Sequence, residues 1–309
     1  VRSIYEVPAL LEDAGLGDYI IERLALKAAA RDLADWRRLV DRLMHPTRSV
    51  RIAVVGKYVE LRDAYLSVKE ALIHAGAALD TEVELLWVHS ESVDSGNVDS
   101  HLRGVDGIVV PGGFGERGIE GKVVAARYAR EKRLPYLGLC LGMQVMVVEA
   151  ARAALNTDAV NSTEFDPETP NPVISLLSEQ RGIEQKGGTM RLGAYTCNLV
   201  PGTRAYEAYG VDSVRERHRH RYEFNNAYRE VLEDFGLVAS GTSPDGSLVE
   251  VCEIRDHPFM LGTQFHPEFR SRPDRPHPLF RALVKAACEK RAGIISGVLA
   301  EQAVATSGG

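Results

Sequence analysis

The stretch LPYLGLCLGMQ, Leu134–Gln144, places a cysteine between two glycines where an apolar run passes into a helical pattern. LPYLGLC predicts a buried strand, and the following LGMQVMVVEAARAA predicts a helix. A strand, a sharp Gly-x-Cys-x-Gly turn and a helix form a nucleophile elbow, here with sulfur in place of the serine oxygen. We therefore expect Cys140 to stand above a sheet edge, where a helix N-terminus favours the thiolate and offers backbone N–H groups to an oxyanion.

A buried structural cysteine is the alternative interpretation of Cys140, because free cysteines are among the most buried residues. Gly138 and Gly142 favour the elbow, since they leave room for the strand and the helix to approach each other.

Strands alternate with helices around the elbow. RIAVVGKY (51–58), TEVELLWV (81–88) and VDGIVVPGG (105–113) predict strands, and AYLSVKEALIHAG (64–76) and IEGKVVAARYAREK (119–132) predict helices. Such alternation requires right-handed βαβ units. The sequence thus predicts a doubly wound α/β fold with a mostly parallel sheet.

The second half of the chain has a different texture. Residues 156–190 are rich in Pro, Thr, Glu, Gln and Gly and predict long loops, whereas the residues that follow predict strands and a closing helix from Leu279 to about Lys290. We expect residues 49–295 to form the domain that carries the elbow, and residues 296–309 to form a disordered tail.

Composition excludes several classes of protein. The chain has 309 residues, 45% of them hydrophobic, and a formal net charge of -6 with both signs interspersed, which argues against nucleic-acid or membrane-surface binding. Its longest uncharged apolar stretch, Leu134–Val148, is shorter than the roughly 20 residues that span a bilayer. Four scattered cysteines favour a reducing, cytoplasmic setting. The start at Val1, without a secretory signal, suggests a piece of a longer protein.

A second glycine turn, VVPGGFGERG (Val109–Gly118), follows a predicted strand and should lie at the carboxyl edge of the sheet. Its bare backbone can offer N–H donors to negative charge on a substrate oxygen. It is not a phosphate-binding P-loop, because the spacing from Gly115 to Gly121 is one residue too long and Val123 stands where Ser or Thr is required.

QFHPEF (264–269), directly after another predicted strand, supplies a base for the cysteine. In an extended segment residues two apart point the same way, so Glu268 can accept from one imidazole nitrogen of His266 while the other faces the thiol. A lone histidine is more often structural, but His-Pro-Glu at one strand end and Cys140 at another favour a Cys–His–Glu triad.

The basic run RERHRHRY (Arg215–Tyr222) admits three interpretations: a solvated face, a nucleic-acid patch or a His-x-His metal site. The solvated face is the default for such a run. Further ligands at suitable spacing are lacking, so no metal site is predicted.

PGGFG, GLCLGMQ and HPEF together resemble the class I (triad) glutamine amidotransferases. VGKYVELRDAYLSVKEAL, NSTEF, GGTMRLG and RHRHRYEFNN are similar to the C-terminal glutaminase domain of the CTP synthase family. SIYEVPALL and GLGDYIIERL resemble the end of that family's synthetase domain. Residues 1–48 would then be the tail of a synthetase domain and the interdomain linker.

The resemblance implies that Cys140 attacks the side-chain carboxamide of glutamine and that His266 protonates the departing ammonia. Water then hydrolyses the thioester to release glutamate. Backbone N–H groups near Gly113 and Leu141 would hold the oxyanion. The implied glutamine-binding residues are Gly113, Leu141, Gly142, Met143, Gln144, Glu164 and Arg221. A carboxylate suits the α-ammonium group of glutamine, and an arginine suits its α-carboxylate.

The resemblance also implies a lid that responds to GTP and includes Arg191, although Ser178–Gly188 is short for the family's lid loop. No cofactor or metal is expected in this domain. The full enzyme implies ATP, Mg²⁺ and GTP as activator, a homotetramer, and passage of ammonia to a phosphorylated UTP. The ATP- and UTP-binding synthetase domain is absent from this sequence, so we do not expect the chain alone to make CTP.

Two alternatives stay open. The first is another Cys–His–Glu hydrolase, such as a γ-glutamyl hydrolase or a glutaminase that serves another synthetase; NSTEF and RHRHRYE argue against it. The second is a catalytically silent regulatory module with a nucleotide-responsive lid. An intact set of Cys140, His266 and Glu268 argues against this one.

Overall fold

A nine-stranded sheet organises the computed structural model, which describes residues 1–176 and 190–307. The helices are α1 Val7–Asp13, α2 Leu16–Arg23, α3 Ala34–Met44, α4 Leu66–Ala78, α5 Val98–Leu102, α6 Ile119–Glu131, α7 Leu141–Leu155, α8 Arg204–Tyr209, α9 Arg229–Phe235 and α10 Pro278–Ser307. The strands are β1 Arg48–Gly56, β2 Thr81–His89, β3 Gly107–Val110, β4 Tyr136–Leu139, β5 Asn161–Ser162, β6 Pro172–Leu176, β7 Arg191–Leu199, β8 Ser213–His220, β9 Tyr222–Phe224, β10 Leu237–Thr242, β11 Val249–Ile254 and β12 Met260–Thr263.

The strand order of the large sheet is β2-β1-β3-β4-β12-β11-β10-β7-β8. The pairs from β2 to β12 are parallel, and the pairs from β12 to β8 are antiparallel. The doubly wound α/β fold is therefore confirmed, with a mixed sheet whose parallel part contains the predicted strands around the elbow. A second sheet, β5-β6-β9, has three short strands.

Helices cover both faces of the large sheet, which is why its central strands are apolar without alternation. All residues of β3, β4 and β12 are buried. One core cluster contains buried side chains of α5, α6, α7 and α9, and the other contains those of α4, α8 and α10. Parallel strands between two helical layers bring their carboxyl ends to one edge, and both predicted glycine turns lie there.

Two predicted segments differ from the structure, and a third lies outside the residues that it describes. The region 156–190 was expected to be loops, yet it contains β5 and β6 because these short strands pair with β9, which lies far away in the sequence. The closing helix α10 passes the predicted end at Lys290 and continues to Ser307, so residues 296–307 of the expected disordered tail are helical. The predicted short lid, Ser178–Gly188, lies outside the described residues.

Residues 1–48 contain α1, α2 and α3 and contact the domain through α4. The hydroxyl of Tyr5 donates to Glu70 at 2.6 Å and lies 2.7 Å from Nε2 of His74. Trp36 in turn donates its indole N–H to the carbonyl of Tyr5 at 2.8 Å. No helix in 1–176 or 190–307 combines the length and the apolar character needed to cross a membrane.

Gly142 gives a direct test of the close approach between α7 and β3. A Cβ on this residue would overlap the carbonyl oxygen of Val110, which is backbone and cannot rotate away. We expect Gly142→Ala to lower the free energy of unfolding by about 3 kcal/mol or more, as overpacking does in well-filled cores. Urea unfolding followed by circular dichroism measures this change.

Gly293→Ala is the matched control, because Gly293 is also a helical glycine and a Cβ there would meet nothing within 4 Å. It should leave stability unchanged or raise it by up to about 1 kcal/mol, the ordinary advantage of alanine over glycine in a helix. Equal effects of the two substitutions would contradict a steric role for Gly142.

Candidate active site

Cys140 occupies the turn between β4 and α7 with a backbone φ of +53°, a conformation that costs a non-glycine residue about 1–3 kcal/mol. Hydrogen bonds hold the turn in place. The N–H of Cys140 donates to the carbonyl of Thr263 at 2.7 Å, and its own carbonyl accepts from the N–H of Met143 at 3.0 Å. The elbow is thus fixed to β12 on one side and to the first turn of α7 on the other.

Two glycines allow this turn to form. A Cβ on Gly138 would lie 2.5 Å from the carbonyl carbon of Gly142, and a Cβ on Gly142 would overlap Val110. The predicted close approach of strand and helix is therefore present. Leu141 is the first residue of α7, where a helix leaves its backbone N–H groups without intrahelical acceptors.

His266 and Glu268 lie directly beyond β12. Nδ1 of His266 is 2.8 Å from Oε1 of Glu268. The predicted reason for this contact was wrong: Pro267–Arg270 is a single 3-10 turn, so the two residues meet across a helical turn and not along an extended segment. A Cβ on Gly112 would lie 2.9 Å from Cε1 of His266 and 3.5 Å from Cβ of Cys140. The second glycine turn therefore packs against both side chains.

The charge state of His266 follows from its neighbours. Burial opposes protonation of the ring and is the largest single influence on its pKa, but the hydrogen bonds and negative charges of Cys140 and Glu268 together outweigh it. The pKa of His266 is raised from 6.5 to about 10. The site therefore favours an imidazolium ring between the side chains of Cys140 and Glu268, an arrangement that suits a cysteine nucleophile.

Gln264 is a site residue that the sequence reasoning missed. Its Nε2 donates to Sγ of Cys140 at 3.7 Å, and its Oε1 accepts from Gln144 at 3.3 Å. Gln144 also donates to the carbonyl of Tyr222 at 3.1 Å. Both amides are buried, so they fix the sulfur from the side of the core. The only signal in the sequence was the position of Gln264, two residues before His266.

A small cavity of about 40 Å³ opens beside the sulfur. It is lined by Gly113, Phe114, Cys140, Gln144, Glu164, His220, Arg221 and Tyr222. Four of the residues predicted to bind glutamine are in this lining, whereas Leu141, Gly142 and Met143 are not.

The helical turn directs these three side-chain positions into the core. Met143 packs on Gly262 of β12, where an added Cβ would lie 2.8 Å from its own Cβ. Leu141 lies 3.5 Å from the Cβ position of Gly113 and supports that turn from below.

Glu164 contacts the second glycine turn and lines the cavity with it. Its Oε1 accepts from the N–H of Gly115 at 3.1 Å. Burial raises its pKa above 4.5, while the hydrogen bond from Gly115 and the charges of Lys57 and Arg221 act in the opposite direction. Glu164 is half-buried, and a carboxylate in this position can pair with an ammonium group.

The run RERHRHRY forms most of β8 and is not a uniform solvated face. Its side chains alternate, with Glu216, His218 and His220 buried while the arginines between them face outward. Nδ1 of His218 lies 2.9 Å from Nε2 of His220. Within the described residues, no group of three or more His, Cys, Asp or Glu side chains is arranged to hold a metal ion.

Arg191, expected on the lid, is anchored at the start of β7. Its guanidinium donates to Glu250 at 2.6 Å and lies 3.7 Å from Glu223, and it stacks over the ring of Tyr195 at 4.5 Å. Burial and the like charge of Glu250 raise the pKa of Glu223 well above its ordinary value. The positive charge of Arg191 therefore stabilises two buried carboxyl groups, those of Glu223 and Glu250.

Comparison with known proteins places this geometry in a family. A sequence model of the family Glutamine amidotransferase class-I matches residues 60–286. The chain belongs to this family. Among curated relatives, the CTP synthases of Chloroflexus aurantiacus and Dehalococcoides mccartyi are 61% and 57% identical over 94% and 93% of this chain. The chain spans about half the length of these relatives, 53% in both cases.

A solved structure agrees with the sequence matches of this class I glutamine amidotransferase. The glutaminase domain of Trypanosoma brucei CTPS, with bound acivicin, is 40% identical and superposes with a TM-score of 0.73. The match covers 78% of this chain and 94% of that one. The predicted resemblance to the CTP synthase glutaminase domain is confirmed.

The contact between His266 and Glu268 can be tested by Glu268→Gln. Removal of the carboxylate should lower the pKa of His266 below about 10, so the imidazolium is lost at a lower pH, and kcat for glutamine hydrolysis should fall by about 10²- to 10⁴-fold. NMR titration of the ring and steady-state kinetics report the two effects. Glu289→Gln, at an exposed position on α10, is the control. A normal rate with an unchanged ring titration would contradict the assigned contact.

Proposed function

We propose that Cys140 is the nucleophile of a glutaminase reaction in which His266 and Glu268 move and hold the proton. The observation that carries this proposal is that His266 contacts both Glu268 and Cys140, and that Cys140 shares a cavity lining with Glu164 and Arg221. The amidotransferase family supplies the reaction class.

The reaction has two stages. The thiolate of Cys140 adds to the side-chain carbonyl carbon of glutamine, and the negative charge moves to the oxygen, where the N–H groups of Gly113 and Leu141 stabilise it. The C–N bond then breaks as His266 gives its proton to the nitrogen, and ammonia leaves. His266 next removes a proton from water, which attacks the thioester and releases glutamate and the free thiol.

Glu164 and Arg221 would hold the amino-acid end of the substrate. The carboxylate of Glu164 suits the α-ammonium group, and the guanidinium of Arg221 suits the α-carboxylate. Gln144 supports this end by fixing the carbonyl of Tyr222 in the cavity wall. Two opposite charges at a fixed distance from the sulfur would select glutamine over amides without an amino-acid head.

We further infer that the ammonia serves an ATP-dependent conversion of UTP to CTP in a longer, cytoplasmic protein. The support is that relatives at 57–61% identity are named CTP synthases and are about twice as long as this chain. In this proposal the missing part binds ATP, Mg²⁺ and UTP and forms the homotetramer. GTP would act as activator through the lid, and Arg191 would anchor the lid's base.

Glu164→Gln tests substrate binding. The neutral amide cannot pair with the α-ammonium group, so we expect KM for glutamine to rise by about 10-fold or more while kcat changes much less. Since the pKa of Glu164 is raised, wild-type KM should also increase as pH falls, at a higher pH than an ordinary glutamate would cause. Glu168→Gln, on the exposed part of the same loop, is the matched control. Equal KM values for both variants would contradict the assignment.

Glutamate release by the purified chain, beside Cys140→Ala, tests the reaction itself. We expect release from glutamine that the alanine variant lacks, because no other nucleophile replaces the sulfur. An added synthetase part with its nucleotides should increase the rate. Cleavage of γ-glutamyl peptides in preference to glutamine would instead identify a γ-glutamyl hydrolase. If no glutamate is released with any substrate or partner, the proposal is overturned, and the interpretation as a catalytically silent regulatory module remains.

A further inference from the structure

Lys122, on the first turn of α6, is fully buried. Its Nζ has no hydrogen-bond partner among the residues that the structure describes. A buried amine without acceptors is costly, and natural proteins keep few such groups. The position of this amine therefore requires an explanation.

The amine lies behind the second glycine turn. A Cβ on Gly113 would be 3.8 Å from Nζ of Lys122 and 3.6 Å from Cε of Lys57. Lys57 donates its own ammonium hydrogen to the carbonyl of Phe114, so its charge has an acceptor. Lys122 does not line the cavity beside the sulfur. Lys122 therefore lies close to the Gly113 turn, and this turn lines the cavity whereas Lys122 does not.

The charged groups around Lys122 come from two elements. Burial is the main cause that lowers the pKa of Lys122, and the positive charge of Lys57, after β1, acts in the same direction. Cys140, before α7, acts to raise the pKa, and the net result is a pKa of about 7. Lys57 also acts on Glu164, whose pKa its positive charge lowers. Negative charge on Cys140 thus favours the ammonium form of this amine.

We propose that Lys122 is a positioning residue for the oxyanion. Its ammonium group acts through the Gly113 turn and stabilises the negative charge on Cys140 and on the substrate oxygen. This inference rests on the proposed glutaminase reaction. The charge acts without contact with substrate, because the turn lies between them. It has a strong effect there, since a buried site has a low dielectric and no water competes.

Lys122→Met tests this role, because methionine has a similar length and no charge. We expect kcat for glutamine hydrolysis to fall by about 10-fold or more, with KM within about twofold, since only the charged states lose stabilisation. The pH midpoint for alkylation of Cys140 by iodoacetamide, read at that residue by mass spectrometry, should move upward by about one pH unit.

The same variant should be more stable than wild type at pH 6. A lysine with a lowered pKa binds fewer protons in the folded state, so its burial costs most below pH 7 and least as pH rises toward its ordinary value near 10.5. The gain in Tm should therefore shrink between pH 6 and pH 9. A purely structural lysine would show the reverse, with lower stability in the variant.

Lys132→Met, at the exposed C-terminal end of α6, removes an equal charge far from the turn and should change neither rate nor alkylation. Unchanged kcat and an unchanged alkylation midpoint in Lys122→Met would overturn the inference. Alkylation needs no turnover, so it decides the role of Lys122 even where wild type releases no glutamate, the result that would instead overturn the glutaminase proposal. Lys122→Gln repeats the test if methionine prevents folding, and failure of both to fold would assign the lysine a structural role.

Discussion

The close approach of α7 to the sheet is the constraint on which the site depends. Gly142 lies against the carbonyl of Val110, and Gly138 lies against Gly142, so that strands β3 and β4 and the start of α7 come within backbone contact. This contact aims the first turn of the helix at the carboxyl edge of the sheet. The intervening cysteine has a positive φ, and the hydrogen bond to Thr263 stabilises that conformation.

The sequence could predict the parallel part of the fold because its signals are local. Continuous apolar strands, helices with apolar faces and glycine turns follow one another there, and GLCLGMQ and HPEF mark the strand ends that meet at the edge. The contact of His266 with Glu268 was found for a partly wrong reason, since residues two apart also meet across a 3-10 turn when a proline begins it.

The remaining features depend on contacts between distant segments. β6 is a strand because it pairs with β9, and no sequence pattern within residues 156–190 predicts this pairing. Met143 belongs to the sequence motif, yet its side chain packs in the core and not in the cavity, because Gly262 has no Cβ that would occupy the space. Lys122 occupies a helical position that would suit a solvated lysine, and only the packing of the glycine turn over α6 shows that its amine is buried.

The alternation along β8 gives chemically similar residues opposite environments. His218 and His220 are buried, and burial is the main cause that lowers their pKa values to about 2 and 3, so they are neutral rings. The side chains of Arg217 and Arg219 lie on the exposed face of the same strand. Successive side chains of a strand point to opposite faces of the sheet. The insertion of one residue before this run would therefore turn the guanidinium groups inward and the histidine rings outward. Insertions or deletions of single residues in β8 should therefore be tolerated much less than the many charged residues of this strand suggest.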